Sequence, residues 1–344
     1  MKKFVINIST LIIPIILILV VVNYIGDSAN LFKAGYEFKI AKIIAKKNYV
    51  TNLHNYDERL FQKEIIKTMK KAPEIIVLGS SSSMFIDRTL LKNNNIYNNS
   101  VSGASLEDYI AIYQIYKEYN KTPKTIIINI APYQFNKNST QERWKSIQHF
   151  YYNFYNKKEA NNEINKYKEF FSLSYFQSSL PKFFKVITGK SEPLATRNKF
   201  NITITELTDG SHVYGKSYRD ASKIEIEKKV SSLLAGDLPS IERFNSIDES
   251  IWAEFEKLIS DMKKNNIIIE FFLCPLHPKI YNRIEEDYPM VLKTENLIIK
   301  YAKYHNIKLY GSFSPTLIGL DETFFYDGMH CKENGIKKIL QSKD

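Results

Sequence analysis

Short apolar runs alternate with helical patterns over much of the chain. The apolar runs, rich in β-branched residues, predict buried strands at residues 75–78, 96–101, 125–130, 267–273 and 307–310. Apolar positions at helical spacing between them predict helices at residues 106–119, 251–264, 288–304 and 332–340. Because strands that alternate with helices form parallel sheets, we expect an α/β fold. The prediction is a three-layer α/β/α domain with a central, mainly parallel five-stranded sheet.

The domain is expected to cover residues 73–344, with a long insertion at about 134–250. That stretch is rich in Tyr, Phe, Asn and Lys and has no clean alternation of strands and helices. Residues 26–72 have mixed charge and apolar residues at helical spacing, such as Ile40, Ile43 and Ile44. We interpret them as a juxtamembrane helical linker.

Residues 1–25 begin Met-Lys-Lys and are then almost wholly apolar. About 20 such residues suffice to span a bilayer as a helix. A cleaved signal peptide is the alternative, but no small-x-small cleavage site ends the run. Lys2 and Lys3 before the run compete with several lysines from Lys33 to Lys47 after it under the positive-inside rule. We expect a single-pass anchor with the domain outside the cell membrane.

Composition narrows the class of protein only slightly. The chain has 344 residues, 44% of them hydrophobic, and a formal net charge of +11, so it can bury a sizeable core. Its lysines are scattered rather than clustered, which argues against a nucleic-acid partner. The two cysteines, Cys274 and Cys331, match neither a metal-site spacing nor a disulfide framework. Two buried thiols are expected, and a single disulfide remains an alternative.

The first predicted strand of the sheet runs into Gly79 and four consecutive serines. The polar and apolar pattern after them predicts the start of a helix over residues 84–91. Serines at this place either cap that helix or carry chemistry, because ligands of open α/β sheets bind beyond the carboxyl ends of the strands. The local pattern leaves both readings open.

A second motif lies near the C-terminus, where Asp327 precedes His330 by three residues. A carboxylate at this distance can orient the imidazole so that its other nitrogen acts on a serine hydroxyl. The same spacing recurs at Asp209 and His212, inside the irregular insertion. Only the Asp327 copy follows the last predicted strand, where its loop would face the same sheet edge as the serine turn.

Together these residues resemble the SGNH (GDSL-like) hydrolases, particularly their membrane-anchored bacterial branch associated with envelope polysaccharide. The resemblance implies Ser81 as nucleophile in Gly79-Ser80-Ser81, His330 as base and Asp327 as its partner. It also implies that Gly103, five positions after Asn98, supplies an oxyanion amide, with Asn98 as a further site residue. The segment after the third predicted strand departs from the family, because Tyr133 stands where the resemblance expects an Asn that donates to the oxyanion.

The resemblance implies a serine esterase or O-acyltransferase that acts on an acylated extracytoplasmic carbohydrate or envelope polymer. It implies no metal and no organic cofactor. The departure at Tyr133 supports an alternative, a catalytically degenerate protein of the same fold that binds glycan or serves in assembly. Hydrogen bonds that join Ser81, His330 and Asp327 would favour the enzyme.

Overall fold

A computed structural model describes residues 2–27, 35–54, 56–158, 163–189, 192–238 and 240–341. Lys33, one of the lysines weighed above, lies outside the described residues. The strands are β1 Tyr49–Thr51, β2 Ile75–Leu78, β3 Ile96–Asn98, β4 Thr125–Asn129, β5 Leu194–Thr196, β6 Thr205–Glu206, β7 His212–Val213, β8 Ile268–Leu273 and β9 Lys308–Gly311.

Helices surround these strands and also form most of the N-terminal region. They are α1 Lys2–Gly26, α2 Tyr36–Ala45, α3 Glu58–Thr68, α4 Leu106–Glu118, α5 Gln148–Phe154, α6 Leu173–Ile187, α7 Lys216–Arg219, α8 Lys223–Leu234, α9 Glu249–Lys264, α10 Pro278–Asp287, α11 Pro289–Tyr304, α12 Pro315–Ile318 and α13 Glu333–Gln341. Short 3₁₀ turns lie at Ser81–Ser83, Arg143–Ile147, Glu163–Phe171 and Glu322–Phe324.

A five-stranded parallel sheet in the order β3-β2-β4-β8-β9 forms the centre of the fold. Helices cover both of its faces, which confirms the predicted α/β architecture. Successive residues of β2 face opposite sides: Ile76 and Leu78 belong to one buried cluster, and Val77 belongs to the other. Since β3 and β4 lie on opposite sides of β2, the turn after β2 occupies a switch point of the sheet, where ligands of such folds bind.

The predicted transmembrane anchor is not reproduced as such. Residues 2–26 do form helix α1, but among the helices that the structure describes none is both long enough and apolar enough to cross a membrane. The end of α1 packs against α6 of the insertion. There the Asn23 amide donates to the carbonyls of Glu169, Phe170 and Ser172, and the Tyr175 hydroxyl donates to Asp27.

The predicted linker contributes to the domain itself. Ile40 and Ile44 of α2 and Ile66 of α3 are buried in the larger hydrophobic cluster. Arg59 of α3 forms a buried two-pronged ion pair with Asp108 of α4, with nitrogen to oxygen distances of 2.9 and 3.0 Å. Strand β1 joins three strands of the insertion in a small antiparallel sheet of order β5-β1-β6-β7. The insertion is therefore anchored on the segment that precedes the parallel sheet.

The predicted helix over residues 84–91 is wrong. The chain instead forms a 3₁₀ turn at Ser81–Ser83 and irregular turns up to residue 92. The buried side-chain amide of Asn98 donates to the carbonyls of Ser83 and Ile86, at 2.8 and 2.9 Å. A side chain from the neighbouring strand thus binds carbonyls that a helix would pair within itself.

Candidate active site

Ser81, His330 and Asp327 meet at the carboxyl edge of the parallel sheet. The Ser81 Oγ lies 2.9 Å from His330 Nε2, although the two residues are 249 positions apart. On the other side of the ring, His330 Nδ1 lies 2.9 and 3.0 Å from the two carboxylate oxygens of Asp327. With Nδ1 protonated, Nε2 is the nitrogen that accepts the serine proton. The arrangement matches a nucleophile, a base and an acid that orients the base.

The carboxylate of Asp327 is held in its charged form. Burial alone would raise its pKa, but hydrogen bonding with His330 and the charge of that ring bring the pKa of Asp327 below its ordinary value. The backbone N–H groups of Met329 and His330 also donate to Asp327 Oδ1, at 2.8 and 2.9 Å. Each of these contacts favours the ionised carboxylate. An ionised Asp327 keeps the Nδ1 proton of His330 in place.

Asn129, at the end of β4, organises the serine turn and was missed by sequence reasoning. Its buried Oδ1 lies 3.0, 3.1 and 3.3 Å from the hydroxyls of Ser80, Ser82 and Ser83, and 3.2 Å from the Ser80 nitrogen. Its amide nitrogen donates to the carbonyl of Phe272, which sets the orientation of the side chain. Three of the four serine hydroxyls therefore point to Asn129. Ser81 alone among the four bonds to His330.

Gly79 leaves the space that this cluster of serines requires. A Cβ at Gly79 would lie 1.9 Å from the hydroxyl oxygen of Ser83 and 2.8 Å from that of Ser100. Those two hydroxyls are themselves 2.8 Å apart and hydrogen bonded. Any larger residue at position 79 would displace the turn that presents Ser81.

Asn98 and Gly103, the two further site residues implied by the resemblance, have different roles. Both hydrogens of the Asn98 amide go to backbone carbonyls, and its Oδ1 accepts from the Ser100 N–H. Asn98 thus holds the nucleophile turn and has no hydrogen left for an oxyanion. Gly103 has a positive φ of 54°. A Cβ there would lie 2.5 Å from the Arg143 guanidinium.

Helix α3 positions the loop that carries Gly103. The Arg59 guanidinium donates to the Ser102 carbonyl at 3.0 Å, and Glu58 accepts from both the N–H and the hydroxyl of Ser102. Within the described residues, the backbone N–H groups of Ser81 and Gly103 donate to no protein acceptor. They are therefore available to a ligand oxygen.

A small pocket of about 40 Å³ opens beside the triad. Its lining combines Ser81 and His330 with mostly apolar groups, which are contributed by Ile130, Ala131, Pro132, Tyr133, Cys274, Leu276 and Met329. Tyr133, the residue that departs from the resemblance, thus faces the same space as the nucleophile.

Cys274 and Cys331 are both free and buried. Hydrogen bonding to Cys274, together with burial, raises the pKa of Cys331.

The insertion docks on the nucleophile turn. Arg88, just after that turn, pairs with the buried Asp209 at 2.9 Å, and the His212 N–H donates to the Met84 carbonyl at 2.8 Å. His212 itself is buried against Glu206. The Asp209-x-x-His212 motif is therefore part of this docking surface and does not take part in the triad.

Two tyrosines of the insertion enclose the acid side of the triad. The Tyr214 ring lies edge-on to the His330 ring, with centroids 6.1 Å apart. Burial, followed by the nearby Asp327 charge, raises the pKa of Tyr218 above its ordinary value. Both phenols lie close enough to Asp327 for its charge to raise their pKa, and no motif in the sequence singled them out.

No protein-family model matches the chain, and no curated protein sequence matches it. The assignment of the site therefore depends on its own geometry and on the motif resemblance described above.

Proposed function

We propose that the protein is a serine esterase or O-acyltransferase with Ser81 as nucleophile, His330 as base and Asp327 as orienting acid. The observation that carries the proposal is the continuous hydrogen-bonded path from Ser81 through His330 to Asp327. A degenerate binding protein has no requirement for this alignment. The turn held by Asn129 supports the same assignment, because it leaves only the Ser81 hydroxyl for His330.

The chemistry follows from the positions of the groups. The Ser81 oxygen attacks the carbonyl carbon of an ester while His330 Nε2 takes the serine proton. The N–H groups of Ser81 and Gly103 donate to the oxyanion that forms. His330 then returns the proton to the leaving alcohol oxygen, which leaves an acyl group on Ser81. Water or a second alcohol, activated by His330 in the same way, takes that acyl group.

The size of the pocket points to a short acyl group. A buried water requires about 10–15 Å³ on this measure, so a pocket of about 40 Å³ accommodates a two-carbon acyl chain but not a long fatty one. The carbohydrate or envelope polymer as acyl carrier comes from the motif resemblance. We propose an O-acetylated polymer of this kind as the substrate, without metal or organic cofactor.

A fluorophosphonate probe tests the nucleophile. The wild-type protein should be labelled on Ser81, and Ser81→Ala should abolish labelling. Ser82→Ala is the matched control, because it removes the adjacent hydroxyl that bonds to Asn129 and should leave labelling within about threefold of wild type. Labelling that persists in Ser81→Ala, or a wild-type protein that is never labelled, would contradict the proposal.

We also propose that α1 places the domain at a membrane and that the domain is extracytoplasmic. Eight aliphatic side chains of α1 between Leu11 and Val21 are each 41–69% exposed. Together they cover every side of the helix over residues 11–18. Removing that much apolar surface from water is worth on the order of 10 kcal/mol. The exposed aromatic rings of Tyr24 and Phe171 lie where α1 meets the insertion, a place suited to a membrane interface.

Two measurements test the placement. The protein should co-float with phospholipid vesicles, and Ile15→Glu with Ile16→Glu should abolish flotation without changing the melting temperature. An alkaline phosphatase fused after the last residue should be active in cells, whereas a cytoplasmic fluorescent reporter fused there should be dark. The opposite reporter result would place the domain in the cytoplasm and remove an extracytoplasmic polymer as substrate.

A further inference from the structure

We propose that the phenol hydroxyl of Tyr133 is a catalytic hydrogen-bond donor to the oxyanion that forms when Ser81 attacks an acyl group. The inference rests on the proposed function and adds a residue to it. It assigns a chemical role to the one position where the chain departs from the motif pattern. The alternative role for Tyr133 is that it blocks the pocket.

Tyr133 is in the right place for this role. It follows β4, whose last residue Asn129 holds the serine turn, and its side chain lines the same pocket as Ser81 and His330. It also borders the turn directly, because Ser80 lines the same pocket. A donor on this wall of the pocket complements the backbone N–H groups of Ser81 and Gly103.

The phenol also has a proton to give. Burial raises the pKa of Tyr133 above its ordinary value of 10.0, and the nearby Ser80 side chain offsets this in part, so the hydroxyl remains neutral at physiological pH. In the portion of the chain that the structure describes, the Tyr133 hydroxyl donates to no acceptor, so it can donate to a ligand oxygen in the pocket. The oxyanion exists only during the reaction, and a hydrogen bond made only then is the requirement for catalysis.

A nearby cation favours negative charge at this wall. The Arg143 guanidinium lies over Gly103, close enough that a Cβ at position 103 would be 2.5 Å from it. The same charge also acts on Tyr133. Burial raises the pKa of Tyr133, and the Arg143 charge lowers it by a smaller amount. The Arg143 charge thus acts on both Tyr133 and the Gly103 loop. The asparagine expected from the resemblance is replaced here by another neutral donor.

The test compares Tyr133→Phe with Tyr133→Asn in the hydrolysis of p-nitrophenyl acetate. Loss of one oxyanion donor typically lowers kcat by about 100- to 1,000-fold, so Tyr133→Phe should lose about 100-fold in kcat with KM within about threefold. Tyr133→Asn, which supplies another donor, should recover at least tenfold over the Phe variant. Tyr113→Phe is the control, since its hydroxyl donates to Asp261 away from the pocket, and it should keep wild-type kcat.

The outcomes separate this inference from the proposed function. A wild-type protein that neither hydrolyses the ester nor accepts a fluorophosphonate on Ser81 overturns both. A labelled and active wild type whose Tyr133→Phe variant keeps kcat within threefold overturns the role of Tyr133 alone. An Asn variant no better than the Phe variant also overturns it, because a blocking or purely structural tyrosine predicts that result. Should the Phe variant melt more than about 5 °C below wild type, the Asn variant decides the question.

Discussion

Asn129→Ala should destabilise the protein and loosen the turn that presents Ser81. Asn129 is fully buried and is the shared acceptor of the Ser80 N–H and three serine hydroxyls. After truncation the hydroxyls can pair with one another, since Ser80 with Ser82 and Ser83 with Ser100 are already 3.0 and 2.8 Å apart. The Ser80 N–H loses its acceptor, whereas the Phe272 carbonyl still accepts from the Ile130 N–H at 3.0 Å.

The magnitude follows from the orphaned Ser80 N–H. A buried polar group left without a partner costs about 1–3 kcal/mol, so we expect a loss of about 2 kcal/mol in the free energy of unfolding. At about 2 °C per kcal/mol for a chain of this size, the melting temperature should fall by about 4 °C. Ser81 should also react more slowly with a fluorophosphonate, because its hydroxyl no longer holds one position relative to His330.

Differential scanning calorimetry and the labelling time course measure the two effects. Asn153→Ala is the matched control, because its amide bonds on the surface to Glu118 and His149 and its loss should cost less than about 0.5 kcal/mol. An Asn129→Ala protein with the melting temperature and labelling rate of the control would refute the role assigned to Asn129.

Two further predictions concern the insertion and the oxyanion loop. Burial tends to raise the pKa of Asp209, but hydrogen bonds from Ser211 and Arg88 and the Arg88 charge hold it below its ordinary value of 3.8. This stabilisation is therefore present above pH 3.8 and is lost as the pH falls through the lower folded-state value. Asp209→Asn should be about 1–2 kcal/mol less stable than wild type at pH 7, allowing for the partial exposure of Arg88. The difference should shrink in urea titrations below pH 3.8, and a constant difference down to pH 2 would contradict the assignment. Gly103→Ala should lower kcat at least tenfold by displacing Arg143, whereas Gly319→Ala, which has a similar positive φ of 68° but no atom within 4 Å of its Cβ, should leave kcat unchanged. Equal kcat values for the two variants would remove the Gly103 loop from the site.

The central sheet could be predicted because its signals are local. Runs such as Ile75–Leu78 and Thr125–Asn129 are apolar on both faces, as buried parallel strands must be. The helical patterns between them have lengths that match the observed α4, α9 and α11. The motif Asp327-x-x-His330 is also local, since both residues lie on one short loop. These features need no knowledge of distant residues.

Local pattern failed where distant side chains compete for the backbone. The residues after Ser83 have a helical pattern, but the amide of Asn98 and the docked insertion bind carbonyls of that segment. Likewise, the apolar spacing of α2 and α3 indicated helices without showing that they belong to the core of the domain. The helical form of α1 was predictable from its composition, whereas its contacts with α6 were not.

The tertiary structure determines which of the four serines meets His330. Sequence pattern left open whether the serines cap a helix or carry chemistry, and adjacent serines are equivalent in any local pattern. Asn129, about 50 positions away, binds three of the hydroxyls, and His330, 249 positions away, binds Ser81. The sequence alone determined that a strand would present serines at a sheet edge. Only packing of β2, β4 and the C-terminal loop decided which hydroxyl meets the imidazole, because hydrogen bonds depend on distances that the folded chain sets.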